Sequence, residues 1–276
     1  MPSDNSDVAQ VPAGVDIGRA NVARVYDYWL GGSDNFLADR DLARAITAVE
    51  PNARAFAKAN RDFLGRAVRF LAAEGITQFL DIGSGIPTQG NVHEIAGQAS
   101  PDARVMYVDA DPVAVAHSKA ILEGNAGAAV IAADLRDPAA ILAHDTTRRL
   151  IDFGQPVGLL LIAVLHFIPD ADDPWRMVAA LRDALPPGSY LAIGHATDAH
   201  NPRGARTFEK VYNNSSSTGV NVRSREEILR FFDGFELVDP GLTYVSQWWR
   251  PDPTPDTGPF HWGELVGAGR INPRAG

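Results

Sequence analysis

Apolar positions change their spacing twice along the chain. Val22, Val25, Tyr26, Trp29 and Leu30 recur at i, i+3, i+4, i+7 and i+8, which places them on one stripe of a helix. Asn21 stands where a helix cap belongs, and Gly31-Gly32 stops the run. A polar turn, Ser33-Asp34-Asn35, leads into a second helical stretch over roughly 36–49. Pro51 then starts a third helix, with Phe56, Phe63, Ala67, Phe70 and Leu71 on one stripe, ending at Gly75. From Gln78 the pattern becomes short apolar runs separated by helical segments. Strands are expected at Phe79–Ile82, Arg104–Asp109, Ala129–Ala133, Val157–Val164 and Tyr190–Ile193. Helices are expected over about 89–99, 111–123, 138–144 and 174–185. That alternation predicts a parallel sheet covered by helices on both faces, with right-handed crossovers.

Beyond His195 the texture turns polar. Residues 197–222 are rich in Asn, Ser, Thr and Gly, with one helical stretch around Thr207 to Tyr212, and read as a mobile flap. Ser224 and Glu227 form a capping box for a helix over 225–232. Glu236–Val238 and Thr243–Trp248 read as a final pair of strands, forming an antiparallel hairpin at the sheet's end. The proline-rich run 251–259 reads as a loop or tail. The expected division is therefore a flexible leader at 1–18, a helical cap at 19–75, an α/β domain at 76–250 and a tail at 251–276.

Composition narrows the function classes. The 276-residue chain is 45% apolar, enough for a sizeable core, and carries a formal net charge of −9. It contains no cysteine, which removes disulfides, thiolate metal sites and thiol nucleophiles. The longest apolar run, Val157 to Leu165, is strand-length, so no membrane partner is expected. The polar start, Met1 to Asn5, has neither signal-peptide nor transit-peptide character. The acidic balance, with Arg148-Arg149 and Arg223/Arg225/Arg230 too sparse for a basic face, argues against a nucleic-acid partner. Lysine occurs only at 58, 119 and 210, none in a P-loop context. These exclusions leave a cytoplasmic, acidic α/β protein.

The chemistry concentrates at Phe79-Leu80-Asp81-Ile82-Gly83-Ser84-Gly85, an apolar strand ending in Asp-x-Gly-x-Gly before a helix. Glycines there let the backbone approach a ligand closely, and Asp81 can accept from a cationic amine. Asp109 ends the next strand, where ribose hydroxyls need an acceptor, and Asp111-Pro112 caps the following helix. Asp134 follows the third strand, where an adenine amino group needs one. The pattern departs from a nicotinamide fingerprint: Thr88 stands in place of the third glycine, and a pyrophosphate would be repelled by Asp81. S-adenosylmethionine, with an ammonium, a ribose and an adenine, fits this series of acceptors.

The segment Asn21-Val22-Ala23-Arg24-Val25-Tyr26-Asp27-Tyr28-Trp29-Leu30-Gly31-Gly32-Ser33-Asp34-Asn35-Phe36 resembles the opening signature of an actinobacterial-type family of S-adenosylmethionine-dependent methyltransferases. Residues 78–92, 108–112, 133–138, 162–169 and 194–197 resemble its later blocks in order, so the likeness runs from about 15 to 251. It implies a class I methyltransferase fold: a Rossmann-like, mostly parallel sheet with an antiparallel last strand and an N-terminal helical addition. It implies S-adenosyl-L-methionine as cofactor, held by Asp81, Gly83, Ser84, Gly85, Asp109, Ala110, Asp134, Leu135 and Ala163. In a related methyltransferase class, an arginine placed as Arg61 is pairs with the methionine carboxylate. The acceptor is expected to be a small molecule, with Tyr26, Asn35 and His166 as candidate pocket residues and His166 and His195 as candidate catalytic groups. The reaction implied is in-line displacement at the sulfonium methyl by an O, N or C nucleophile. Alternatives from other classes are a non-catalytic S-adenosylmethionine sensor and an NAD-dependent oxidoreductase. No metal site is expected: His93-Glu94 lacks a histidine at 97, and Asp170, Asp172 and Asp173 read as helix capping before Pro174. The oligomeric state is not legible.

Overall fold

In a computed structural model, residues 15–87, 90–199, 201–216, 218–249 and 263–272 are described. The expected leader lies almost wholly outside them, as do Thr88 and the proline-rich run 251–259. Three helices open the chain: α1 (Val22–Leu30), α2 (Leu37–Val49) and α3 (Ala53–Ala73). The alternating portion follows as β1 (Gln78–Ile82), α4 (Val92–Ala99), β2 (Arg104–Asp109), α5 (Pro112–Ile121) and β3 (Ala128–Ala132). It continues with α6 (Pro138–Ala143), α7 (Asp145–Leu150), β4 (Gly158–Ile162), α8 (Pro174–Asp183) and β5 (Tyr190–Ala196). The last elements are α9 (Pro202–Ser215), α10 (Arg225–Leu229), β6 (Glu236–Leu237), β7 (Thr243–Tyr244) and β8 (Glu264–Arg270).

The strands form one sheet in the order β3-β2-β1-β4-β5-β8-β6, with β7 also paired to β8. The first five are mutually parallel, and β8 runs antiparallel along the whole of β5, from Tyr190 opposite Arg270 to Ala196 opposite Glu264. Every residue of β1, β4 and β5 is buried, as both faces of the sheet are covered. One face packs Phe63 and Leu71 of α3 against Phe79, Leu160, Trp248 and Val266. The other packs Ile82, Met106, Leu161 and Ile193 against Val178, Leu181 and Phe231. Because β1 pairs with β2 on one side and β4 on the other, the chain reverses direction across the sheet at the carboxyl end of β1. Open α/β sheets form their ligand crevice at that switch point.

Three expectations differ from the structure. The expected hairpin of 236–238 and 243–248 is two short strands, β6 and β7, each paired antiparallel to β8 and not to each other, because both lie in succession along the edge of β8 that β5 leaves free. Residues 264–270, expected within a tail, are the strand that completes the sheet beside β5. Their glycines hid them. Gly269 packs so closely that an added Cβ would stand 2.9 Å from the Cβ of Phe235, so the side chains that mark a strand are missing where partners come nearest. The stretch 197–222, expected as a flap, is built largely as α9 and a return segment. Its polar residues satisfy their own backbone: Asn201 caps α9 by accepting from Gly204 N, and Asn213 Oδ1 accepts from Val220 N at 2.6 Å. Glu209 accepts from Val222 N. Tyr212 and Val220 then join Val25, Leu42 and Ile46 of α1 and α2 in a small separate core over the crevice.

The opening signature builds the corner between α1 and α2. Asn21 caps α1, and Gly31 closes it at φ +85°. Asp27 Oδ2 accepts from Asp34 N and Asn35 Nδ2, and a Cβ on Gly32 would stand 1.9 Å from Asp27 Oδ1. A side chain at 32 would therefore displace the Asp27 carboxylate that holds this corner. Asp39, wholly buried, accepts from Asn21 N and Phe36 N and lies 3.7 Å from Arg24 Nε, which is also 3.6 Å from Asp111 Oδ2. Arg24 thus ties the helical addition to the start of α5.

Candidate functional site

A cavity of about 570 Å³ occupies the crevice at the carboxyl ends of β1, β2, β4 and β5, roofed by α1, α3 and α9. That volume lies well within the range of small-molecule sites. Asp81 ends in it from β1, and burial pushes its carboxyl up to about 7 despite the nearby Arg61 guanidinium, with Asp109 adding repulsion. Arg61 comes from α3, lines the same wall and donates to Asn91 Oδ1 at 3.0 Å. After Asp81 the chain turns sharply. Gly83 has φ +76°, and a Cβ there would collide with Val164 at 2.4 Å, so the β1 loop can lie against the β4 loop only with glycine. Gly85, at φ +67°, has nothing within 4 Å of where a Cβ would stand, and Ser84 Oγ is buried beside the cavity without a hydrogen-bond partner.

Asp109 is set by its backbone neighbours. Its Oδ2 accepts from Gly85 N at 2.7 Å and its Oδ1 from Asp111 N at 2.8 Å, while burial raises its carboxyl to about 6 against the pull of these N–H groups. The Ala110 N–H also draws on this carboxyl, and three backbone donors on about four acceptor positions leave room for a ligand donor. Asp111 is buried as well; besides capping α5 through Val113 N, it faces Arg24. Ala110, Asp134, Leu135 and Ala163 all line the cavity. Asp134 is held by Arg136, whose own N–H donates to Asp134 Oδ1 and whose Nη1 lies 3.1 Å from Oδ2. Ala163 adopts φ +57°, a left-handed conformation that a non-glycine residue takes only when its surroundings impose it.

The remaining candidates separate. Tyr26 lines the cavity, but its hydroxyl donates to Ala57 O at 2.7 Å and accepts from Asn60 Nδ2 at 3.1 Å. Asn35 does not reach the cavity: its amide is consumed by Asp27, Gly32 O and Arg40 in the α1–α2 corner. His195, the other candidate catalytic group, is fully buried and does not line the cavity. Its Nδ1 donates to Ala196 O and its Nε2 accepts from Arg223, so neither nitrogen is free to act as a catalytic base. His166 does line the cavity. Ala196 N donates to its Nδ1, which places the ring proton on Nε2, and burial pushes its pKa down to about 3, with the Arg223 charge adding to the shift. The ring is a neutral donor at this site. Asp173 accepts from Arg176 N at the start of α8, while Asp170 and Asp172 pair with Arg223 and Arg136.

Several residues escaped the sequence reading. Trp29, Phe56, Phe167, Phe208 and Tyr212 also line the cavity, and all but Phe56 belong to the small core shared by α1, α2 and α9. Gly204, Ala205, Phe208 and Tyr212 lie on one stripe of α9, with Asn201 at its N-cap; the helix expected around 207–212 is too short to show that stripe. Arg223, 2% exposed, spends its donors on Asp170, Leu165 O, Ile168 O and His195 and stacks near Trp175, pinning the loop that carries His166. No local pattern marks it.

Comparison with known proteins agrees with the geometry. The S-adenosyl methyltransferase family pattern matches residues 8–272. A solved structure of a candidate methyltransferase from Thermobifida fusca YX is 42% identical, covering 96% of this chain and 100% of its own, with a TM-score of 0.90. A protein of the DUF574 family from Streptomyces avermitilis is 37% identical over 94% of this chain and 99% of its own, with a TM-score of 0.88. A more distant O-methyltransferase family protein from Burkholderia thailandensis, 12% identical over 82% of this chain and 62% of its own, shares the fold at a TM-score of 0.52. No curated protein matches significantly. With the match running almost end to end, the chain belongs to the S-adenosyl methyltransferase family, as a class I enzyme whose cofactor is S-adenosylmethionine.

Proposed function

We propose that the acid-lined side of the cavity holds S-adenosylmethionine and that the part lined by aromatic residues takes a small-molecule acceptor. The observation that carries this reading is the pair of buried carboxyls, Asp81 and Asp109, bracketing the open Gly83-Ser84-Gly85 turn at the sheet's switch point. The residues fit the cofactor's groups. Asp81 and the unpaired Ser84 Oγ suit an amino-acid ammonium and carboxylate, with Arg61 as a cation for the latter. The remaining acceptor capacity of Asp109 suits a ribose hydroxyl, while Leu135 and Ala110 offer an apolar slot with Asp134 at its edge. When bound, the cofactor supplies a methyl group already activated on a sulfonium. The chain's part is then to orient two reactants and keep water out, which α1, α3 and α9 do by roofing the crevice.

His166 presents an Nε2–H and serves to orient an acceptor through an oxygen or nitrogen lone pair; its Nδ1 is already occupied. Among the described residues no helix is long and apolar enough to cross a membrane. A cytoplasmic setting is part of this reading, supported by a cysteine-free sequence that makes no use of an oxidising compartment. Calorimetric titration with S-adenosylmethionine tests the cofactor side, with saturable binding lost or weakened in Asp81→Asn and Asp109→Ala. Release of S-adenosylhomocysteine in fractions of a small-molecule extract tests the acceptor side; turnover only with the macromolecular fraction would overturn the small-molecule reading.

A further inference from the structure

Glu264 opens β8 opposite Ala196, and its side chain is completely buried on the face of the sheet covered by α3. Among the described residues neither carboxyl oxygen has a hydrogen-bond partner, and Asn60 Oδ1, also buried, has none either. The two residues converge on one point. A Cβ added to Gly194 would stand 2.7 Å from Glu264 Oε1 and 3.1 Å from Asn60 Oδ1, so both oxygens press on the same bare backbone. Turning the Asn60 amide over does not help. Its Nδ2 donates to Tyr26 Oη at 3.1 Å, and Tyr26 gives its single hydroxyl hydrogen to Ala57 O at 2.7 Å. A reversed amide would set its carbonyl against a phenol oxygen with no proton left to offer. Acceptors facing one another in a dry site repel unless one of them carries a hydrogen.

We propose that Glu264 is a positioning residue held as a neutral carboxylic acid, whose proton goes to Asn60 Oδ1 and so fixes the series Glu264–Asn60–Tyr26–Ala57 along the cavity wall. Asn60 and Tyr26 both line the cavity, and Asn60 immediately precedes Arg61 on α3, so this proton sets the wall next to the proposed cofactor site. Burial holds the Glu264 carboxyl well above the usual carboxylate range. Arg66 of α3 is the cation whose field reaches it, but its Nε and Nη2 donate to Trp248 O and Val245 O. Arg61 and Asp62 act on the Tyr26 end with opposite signs. The effect on binding rests on the proposed cofactor site; the protonation does not.

The test uses the full chain as wild type, Glu264→Gln and Glu264→Ala. A proton kept by the folded protein and released by the unfolded one makes wild-type stability fall as pH rises. Glutamine keeps an N–H for Asn60 and cannot ionise, so the melting temperature of Glu264→Gln should exceed that of wild type by a margin that widens from about pH 5 to about pH 8. Glu264→Gln should bind S-adenosylmethionine within about twofold of wild type and Glu264→Ala about tenfold more weakly. An infrared carboxylic-acid band that persists at about pH 9, above the titration of Asp81 near 7 and Asp109 near 6, should be lost in Glu264→Gln, which decides protonation even if Glu264→Ala fails to fold. If Glu264→Gln is instead less stable, increasingly so at high pH, Glu264 is an ionised partner of Arg66 and the proposal is wrong. Equal affinity in folded Glu264→Ala and Glu264→Gln would overturn the positioning role. Absence of any wild-type binding would sink the proposed cofactor site while leaving the melting comparison decisive for Glu264.

Discussion

The two sides of the crevice treat their ionisable groups in opposite ways. On the β1–β2 side, Asp81 and Asp109 are buried but face the cavity with acceptor positions to spare, and their carboxyls sit near 7 and 6. On the β4–β5 side, His195, Arg223 and Glu264 are buried and turned inward, and His166 keeps only an N–H for the cavity. Raised carboxyls that a ligand can reach store binding energy, because a cation or a set of hydroxyls displaces the proton that burial imposed. Titratable groups paired with their neighbours hold shape instead. On the proposed reading, the first side recognises charge and hydrogen bonds and the second holds the shape of the cavity.

The largest expected effect strikes the inward-turned side. Arg223→Ala leaves Leu165 O, Ile168 O and His195 Nε2 without donors in a dry interior, and should cost about 3–5 kcal/mol in urea denaturation. Asp170 adds little to this, because it is more than half exposed. Lysine should not rescue the loss, since an ammonium cannot span the same fork of acceptors. A loss below about 1 kcal/mol would mean that the loop carrying His166 is held by other contacts.

Next comes the outward-facing side. Asp109→Ala should weaken S-adenosylmethionine binding by about ten- to a hundredfold, or about 1.5–3 kcal/mol, through lost charge-assisted bonds. Asp111→Ala should act on stability instead, by about 2 kcal/mol, because it removes the cap of α5 and one of the two carboxylates beside buried Arg24. Calorimetry and chemical denaturation of both variants separate the two roles. If Asp111→Ala loses affinity while Asp109→Ala keeps it, the ribose does not lie at the end of β2.

Near neutral pH, a smaller effect follows from the sign of the two carboxyl shifts, and it grows as the solution is made more acidic. With Asp81 near 7 and Asp109 near 6 in the free protein, acid fills both sites with protons that a cationic ligand must expel. Affinity for S-adenosylmethionine should therefore rise with pH up to about 7 and flatten above it, losing about tenfold for each proton that binding must displace per unit of pH below that. Asp81→Asn should reduce the slope. A flat profile in wild type would show that neither carboxyl touches the bound cofactor.

What the sequence revealed divides along the same line. Asp81, Gly83, Gly85 and Asp109 were legible because strand ends and glycine turns are local patterns, and a parallel sheet places consecutive strand ends side by side. The opening signature was legible as two helices around a polar turn, but the role of Asn35 was not, since it works through Asp27 and Arg40 rather than through a ligand. The inward-turned side was hidden for a physical reason. Glu264 meets Asn60, and Arg223 meets His195 and Leu165, only after β8 has paired with β5 and the chain has returned beneath α9. Such contacts leave no periodicity, and the glycines of β8 erase the one that would have announced the strand.

The smallest expected effect is also the one that bears most directly on the chemistry. If His166 were a general base, its removal would cost about a hundred- to ten-thousandfold in kcat, and the rate would show an acid limb set by its titration. The structure points the other way: Nδ1 accepts from Ala196 N, Nε2 carries the hydrogen, and burial holds the ring neutral down to about pH 3. Asparagine can keep the acceptor for Ala196 N and an N–H for the cavity. His166→Asn should therefore lower kcat by less than about tenfold, the size of one orienting hydrogen bond, and leave the shape of the pH–rate profile unchanged. Once an acceptor is in hand, steady-state rates from pH 5 to pH 9 in both proteins settle it. A loss of a hundredfold or more with a vanished acid limb would make His166 the base, and would require the loop to release Nδ1 from Ala196 during turnover.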